Sequence, residues 1–380
     1  MIQILHCADA HLDAPFVLSD ICDSELRRRE LRESFRNMMR YVREQNIDIL
    51  LIAGDLFDAR NVRRETVELV REEFEKTPNT RIFISPGNHD PYTSGSVWQT
   101  TTFPQNVAVF RENALARISM PDLGVDVYGY AFTDTALPYN PAATFHLARP
   151  NYINLLCAHG DLTSTASKYC PITAQDIEHS NLDYIALGHI HNATRMQMLA
   201  RTRFAYAGCL EGRSFDECGH KGAIHIEMDK SPQGDVTFRE KRVWFSQRRY
   251  EKEDVDITGV QDDEEVKARL RATIESRGYG DDTALRLTLV GTVPPTLQIR
   301  TSELLREGKG LYLFEVENRT LPLYDAGYLE RDRGIRGAFF AELRQMLEQG
   351  SEEERELATL ALHYGLSALA DEDLTGRFGG

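Results

Sequence analysis

Nine residues able to hold or work beside a cation are gathered in five short segments. These are Asp9-Ala10-His11, Gly54-Asp55-Leu56-Phe57-Asp58, Gly87-Asn88-His89-Asp90, Ala158-His159-Gly160-Asp161 and Gly188-His189-Ile190-His191, and they hold five of the eleven histidines. Carboxylate, imidazole and carboxamide donors in this mixture suit two closely spaced hard or borderline divalent ions that share a bridging carboxylate. Asp9 and His11 are two apart at the end of an apolar run, so both can point into one cleft. Asp55 is the best bridging candidate, because a carboxylate can span two cations and an imidazole cannot. Asn88 offers a neutral oxygen, and His159, His189 and His191 offer nitrogens. Each segment alone is also ordinary turn chemistry, with Gly supplying positive φ and Asn or Asp capping the backbone. Five such segments together are hard to explain as turns. Two ions about 3.5–4 Å apart position a phosphate and stabilise an in-line displacement, which is hydrolytic phosphoester chemistry. If Asn88 is a ligand, His89 beside it faces the phosphate, where it stabilises the transition state or protonates the leaving oxygen. Asp90 either orients that ring or caps the turn.

Five apolar runs must bring these segments together: Ile2–Cys7, Asp48–Ala53, Arg81–Ser85, Ile153–Cys157 and Asp183–Leu187. Continuous apolar runs bounded by Gly and Asp, with helical patterns between several of them, predict buried strands of an α/β layered fold. In such folds the site lies beyond the carboxyl ends of the strands. The segment Ser24–Gln45 predicts a helix with Leu26, Leu31, Phe35, Met38, Met39 and Val42 on one stripe. Its arginines alternate with glutamates, which favours a solvated face over a DNA contact.

The chain has 380 residues, 42% hydrophobic and 27% charged, ordinary for a globular protein of more than one domain. No run approaches the roughly 20 apolar residues of a membrane helix. The amino terminus carries no signal-type segment, so the expected location is the cytoplasm. Six cysteines (Cys7, Cys22, Cys157, Cys170, Cys209 and Cys218) lack CxxC spacing and are expected to be free thiols. The net charge of −15 is uneven: residues 251–380 hold 16 Lys+Arg against 27 Asp+Glu, a net of −11, leaving −4 on residues 1–250. Two divalent ions would bring the first part near neutrality, so overall acidity does not exclude a phosphate-backbone substrate. The stretches Arg195–Arg203 and Arg239–Arg249 either track such a backbone or are strand-surface charge with core aromatics.

Residues 1–250 are expected to form the catalytic domain. Residues 251–325 read as a small α/β unit, with strands near Asp254–Gly259, Thr283–Gly291 and Gly310–Asn318 and helices near Asp262–Arg277 and Arg300–Glu307, interrupted at Pro294-Pro295. Residues 326–380 are helical in pattern, with Ile335, Phe339, Phe340, Leu343, Met346 and Leu347 on one segment and Leu357, Leu360, Ala361, Tyr364 and Leu369 on the next. Those faces either fold back on their own chain or dock on another protein's helices.

The ordered set Asp-x-His, Gly-Asp, Gly-Asn-His-Asp, a later His and Gly-His-x-His resembles the calcineurin-like metallophosphoesterases. The opening Leu5–Phe16, with Gly54-Asp55-Leu56-Phe57-Asp58, is similar to the bacterial SbcD and YhaO type of DNA repair exonuclease subunit, some members of which carry His where this chain has Asp58. The resemblance is strong over residues 1–210. It implies a four-layer α/β/β/α sandwich, a small α/β capping domain, and C-terminal helices that bind an SbcC-like ATPase. It further implies Asp9, His11, Asp55 and His191 on one ion, Asp55, Asn88, His159 and His189 on the other, His89 as the catalytic histidine, and manganese as the metal. The expected function is a manganese-dependent DNA nuclease acting 3′ to 5′ and nicking single strands, with DNA, the ATPase and a second copy of the chain as candidate partners. The rivals are a phosphoesterase acting on nucleotides, cyclic nucleotides or phosphoproteins, and a non-catalytic scaffold for an ATPase on DNA. No Gly-x-x-x-x-Gly-Lys-Ser/Thr loop occurs, so ATP hydrolysis would need a separate subunit.

Overall fold

The computed structural model describes residues 1–16, 24–58, 62–143, 145, 149–294, 297–324 and 326–369, arranged as two units, Met1–Tyr250 and Glu251–Gly380. Cys22, Pro295 and residues 370–380 lie outside the described residues. In the first unit, strands β1 (Ile2–Cys7), β2 (Ile49–Ile52), β3 (Arg81–Ile84) and β4 (Val107–Val109) pair in parallel. The late strands β11 (Gly222–Lys230) and β12 (Val236–Trp244) extend this sheet antiparallel from β1, giving the order β12-β11-β1-β2-β3-β4. A second sheet has the order β5-β6-β7-β8-β10-β9, from β5 (Ala116–Met120), β6 (Val125–Gly129), β7 (Ile153–His159), β8 (Tyr184–Gly188), β9 (Gln197–Leu199) and β10 (Thr202–Tyr206). Its central members β6, β7, β8 and β10 are parallel.

Alternation along the buried strands explains the layering, because successive side chains leave a strand on opposite faces. Leu5, Cys7, Leu50 and Ile52 pack on Leu31, Phe35, Met38, Met39 and Val42 of α1 (Ser24–Glu44) and on Val70 and Phe74 of α2 (Arg64–Glu75). The intervening Ile4, Ile49 and Leu51 meet Val127, Leu155, Cys157 and Ala186 of the second sheet. The far face of that sheet, with Tyr130, Leu156, Ile185 and Leu187, is covered by Ile177 of the short helix Ala174–Ser180. The result is the expected α/β/β/α sandwich. His6 crosses between the sheets, its ring nitrogens bonding Tyr184 Oη at 2.7 Å and the Leu187 carbonyl at 3.1 Å. Burial, aided by the Arg242 charge, lowers its pKa to about 3, so the ring is neutral.

Two features depart from the expected surface chemistry. Arg27, on the buried side of α1, donates to Glu211 Oε1 at 2.9 Å and the Gly212 carbonyl at 2.7 Å, while Glu211 also accepts from Ser34 Oγ and the backbone N–H groups of Gln247 and Arg248. Glu211→Ala leaves the buried guanidinium with Glu30 as its remaining carboxylate partner and is expected to cost up to about 3–5 kcal/mol, read as a lower urea midpoint at unchanged slope. Several arginines considered for a DNA track are engaged by partners within the chain. Arg248 holds Glu30, Arg201 holds Asp183, and Arg242 donates to the carbonyls of Thr194, Tyr206 and Ala207.

In the second unit, β14 (Thr283–Val290) lies between β13 (Arg249–Asp256) and the strand Leu313–Asn318, and its Leu285, Leu287 and Leu289 share a core with Val266 and Leu270 of the helix Asp263–Arg277. The strand Arg249–Asp256 starts five residues before the expected one. The helices Ala326–Arg331, Ile335–Gln349 and Glu352–Ala368 fold on one another through Leu329, Phe340, Leu362 and Leu366, leaving Ile335 and Leu357 exposed. No helix among the described residues is long and apolar enough to cross a membrane, and the described cysteines Cys7, Cys157, Cys170, Cys209 and Cys218 are free thiols.

Candidate active site

The carboxyl ends of β1, β2, β3, β7 and β8 meet at one edge of the two-sheet core, and the five segments leave from there. Asp9, His11 and Asp55 have φ of +49°, +45° and +50°, and His189 has +109°. Left-handed backbone at non-glycine residues costs free energy and persists only where surroundings over-determine it. Here cross-loop bonds hold it: Asp9 N–H to the Gly54 carbonyl at 3.0 Å, and His11 N–H to the Asp55 carbonyl at 2.9 Å. Two glycines are sterically required. Gly54 has φ +91°, and a Cβ there would lie 2.2 Å from His159 Nδ1; a Cβ on Gly87 would lie 2.2 Å from Asp55 Oδ1.

The side chains of Asp9, His11, Asp55, Asn88, His159 and His191 converge. His11 Nε2 is 3.6 Å from Asp55 Oδ2 and 3.1 Å from His191 Nε2; His159 Nε2 is 3.4 Å from Asp55 Oδ2 and 2.9 Å from Asn88 Oδ1. Candidate ligand atoms of Asp9, His11 and His191 lie within 4.8 Å of one another, as do those of Asp9, Asp55 and His159. Asp9 therefore reaches both groups. His189 joins through its ring, 5.3 Å between centroids from that of His159, and through its N–H, which donates to Asp9 Oδ1 at 3.0 Å. His89 is exposed at the rim, with its ring 4.7 Å from that of His11 and its N–H donating to Asp55 Oδ1 at 2.8 Å. The carboxylate of Asp90 turns away from solvent to accept from Gly87 N–H at 2.8 Å and Phe57 N–H at 3.1 Å. These bonds brace the loop that presents Asn88 and His89. Asp58 completes a group with His11 and His89 within 4.8 Å.

The tautomers test whether cations fit. His159 Nδ1 lies 3.0 Å from the Ala53 carbonyl and His191 Nδ1 lies 2.7 Å from Glu217 Oε1. Both oxygens only accept, so the ring protons sit on Nδ1 and each Nε2 presents a lone pair. The lone pair of His159 then faces Asn88 Oδ1 and Asp55 Oδ2, whereas that of His191 faces His11 Nε2, a nitrogen that donates in one tautomer and accepts in the other. Acceptors aimed at acceptors repel unless a positive charge lies among them, and the donor set fits divalent cations. Burial holds His11 well below the usual imidazole range and His189 at about 4, while burial raises Asp9 to about 6 against the pull of His159 and His191. Little proton competition for the nitrogens of His11 and His189 remains at neutral pH.

Sequence reading missed Glu217 and Arg213, which flank His191 from a separate loop. Nothing in Glu211-Gly212-Arg213-Ser214-Phe215-Asp216-Glu217 marks either residue, because the contact is made between loops and has no fixed spacing.

Two stacked sheets between helices, with a buried Asp/His/Asn cluster at their carboxyl edge, define a metal-dependent phosphoester hydrolase. The profile of the calcineurin-like phosphoesterases matches residues 2–193, and the chain belongs to that family. It is similar to the uncharacterized metallophosphoesterase YhaO of Bacillus subtilis, 28% identical over 309 residues, which are 78% of this chain and 73% of that one. It is also similar to the DNA double-strand break repair proteins Mre11 of Methanopyrus kandleri (26% identical, 71% of this chain and 62% of that one) and Aeropyrum pernix (27% identical, 63% and 60%). The matched segments span less than two thirds of each Mre11 protein.

Proposed function

We propose that this protein is a two-metal DNA nuclease that hydrolyses phosphodiesters from 3′ ends and nicks single strands, uses manganese, and works in the cytoplasm with an SbcC-like ATPase held by the C-terminal helices of residues 326–380. Residues 251–325 would then be the capping domain. One observation carries the catalytic reading: the Nε2 lone pair of His159 aims at the Asn88 and Asp55 oxygens, an arrangement that a cation relieves. The similarity to two Mre11 repair proteins supports DNA as the substrate.

In this reading Asp9, His11, Asp55 and His191 hold one ion, and Asp55, Asn88, His159 and His189 hold the other. Bound there, the ions supply Lewis acidity that activates water and neutralises charge on the phosphate during in-line displacement. Asp55 would be the shared ligand, since its Oδ2 lies near both His11 Nε2 and His159 Nε2. His89 stands at the open rim beside the cluster, free of the ligand set, where its ring can meet the phosphate and give a proton to the departing oxygen. Its backbone N–H bond to Asp55 keeps that ring in register with the cluster. Asp90, by bracing Gly87 and Phe57, holds the loop that positions both Asn88 and His89.

Turnover of single-stranded DNA labelled at either end, compared with bis(p-nitrophenyl) phosphate under the same manganese concentration, tests the substrate. Release of mononucleotides from the 3′ end is expected. Hydrolysis of the aryl ester with intact DNA would remove the nuclease reading and favour a small-molecule phosphoesterase.

A further inference from the structure

Glu217 is a buried acid that none of the steps above uses. Its carboxylate, 9% exposed, lies with Oε1 2.7 Å from His191 Nδ1. Arg213 encloses it: the backbone N–H donates to Oε2 at 2.8 Å, Nη2 donates to Oε1 at 2.8 Å, and Nε lies 3.3 Å from both oxygens. The loop carrying this pair is tied to the His191 loop at three further points. Cys209 N–H donates to the His191 carbonyl at 3.0 Å, Lys221 Nζ to Asn192 Oδ1 at 2.9 Å, and Asn192 Nδ2 to the Asp216 carbonyl at 3.1 Å. Arg213 Nη2 also stands 2.8 Å from His191 Nδ1. A guanidinium only donates, so an Nδ1 accepting from it would leave the ring proton on Nε2, aimed at His11 and at the cation position. Only the bond to Glu217 yields the tautomer that a metal ligand needs.

We propose that Glu217, braced by Arg213, is a positioning residue that fixes the tautomer and ring angle of His191 for the ion shared with Asp9 and His11. This rests on the two-metal reading. The carboxylate raises the donor strength of Nε2 through the ring, and Arg213 holds the carboxylate in place. A carboxylate needed only to close the 213–217 turn would be satisfied by Arg213 alone. The contact to Nδ1 reaches a different loop, at the one ring atom that decides which nitrogen carries the proton.

Calorimetric titration of manganese(II) into the metal-stripped full-length protein tests this, with His191→Ala run alongside to identify the affected binding event. Glu217→Gln, whose amide oxygen still accepts from Nδ1, is expected to weaken that event about 10-fold, and Glu217→Ala about 100-fold, while the other event is unchanged. The melting temperature of stripped E217Q stays at the wild-type value, and excess manganese restores hydrolysis in both variants, a rescue that a folding defect would not give. Two wild-type binding events in E217A overturn the positioning role. So does loss of both events in E217Q together with a lowered melting temperature. A folded wild-type protein that takes up no manganese brings down the two-metal reading itself, which is a separate result.

Discussion

Asp55→Ala is expected to abolish hydrolysis, with a loss well beyond the roughly 100-fold that follows removal of a supporting partner around a metal. Asp55 Oδ2 approaches both His11 Nε2, at 3.6 Å, and His159 Nε2, at 3.4 Å. Removing it takes away a full negative charge and the donor that links the two cation positions, so both ions are affected together. Its loss also frees the His89 N–H, which now donates to Oδ1 at 2.8 Å. Binding to the folded state alone stabilises a protein by mass action, by about 2.7 kcal/mol per site at a free concentration one hundred times Kd. Manganese should therefore raise the melting temperature of the wild type, and a chelator should reverse the rise; Asp55→Ala should respond to neither. Metal analysis of the purified variant together with its melting curve checks this. Two ions per chain and undiminished turnover in Asp55→Ala would end the shared-ligand reading.

His89→Ala separates chemistry from metal binding. The ring lies at the rim and outside the two cation groups built from Asp9, so its removal should leave manganese content and the melting response unchanged. The rate should fall by about 10²–10⁴-fold, the usual contribution of a positioned proton donor. The nature of the leaving group sharpens the test. A poor leaving group such as a deoxyribose oxygen needs the proton, whereas p-nitrophenolate departs without one, so the defect should be large on DNA and small on the aryl ester. Equal defects on the two substrates would move His89 to stabilising the phosphate in the transition state. No defect on either would put a scaffold that merely keeps its metals ahead of an enzyme.

The candidate site was legible because its parts are local. An apolar run ending in Gly-Asp or Gly-Asn-His marks a strand and the turn that follows it whatever the rest of the chain does, and the observed strands Ile2–Cys7, Ile49–Ile52 and Arg81–Ile84 end where the segments begin. Strand β7 runs two residues further than its apolar run, through His159, because it pairs there with Gly188. Arg248 shows the opposite limit. Its charge in a basic, aromatic stretch suits a backbone contact equally well on paper, yet its guanidinium is held by Glu30, more than two hundred residues away.

The sequence by itself determined the donor inventory, the strands that carry it, and hence the class of chemistry, since residue type and period-two burial are properties of short segments. Tertiary structure decided which strands share a sheet: runs buried on both faces look alike in either sheet, and only pairing placed Gly222–Lys230 beside Ile2–Cys7. It also decided which ring nitrogen each histidine offers. That depends on an acceptor brought up from another loop, the Ala53 carbonyl for His159 and Glu217 for His191, and no spacing along the chain encodes a hydrogen bond made across space.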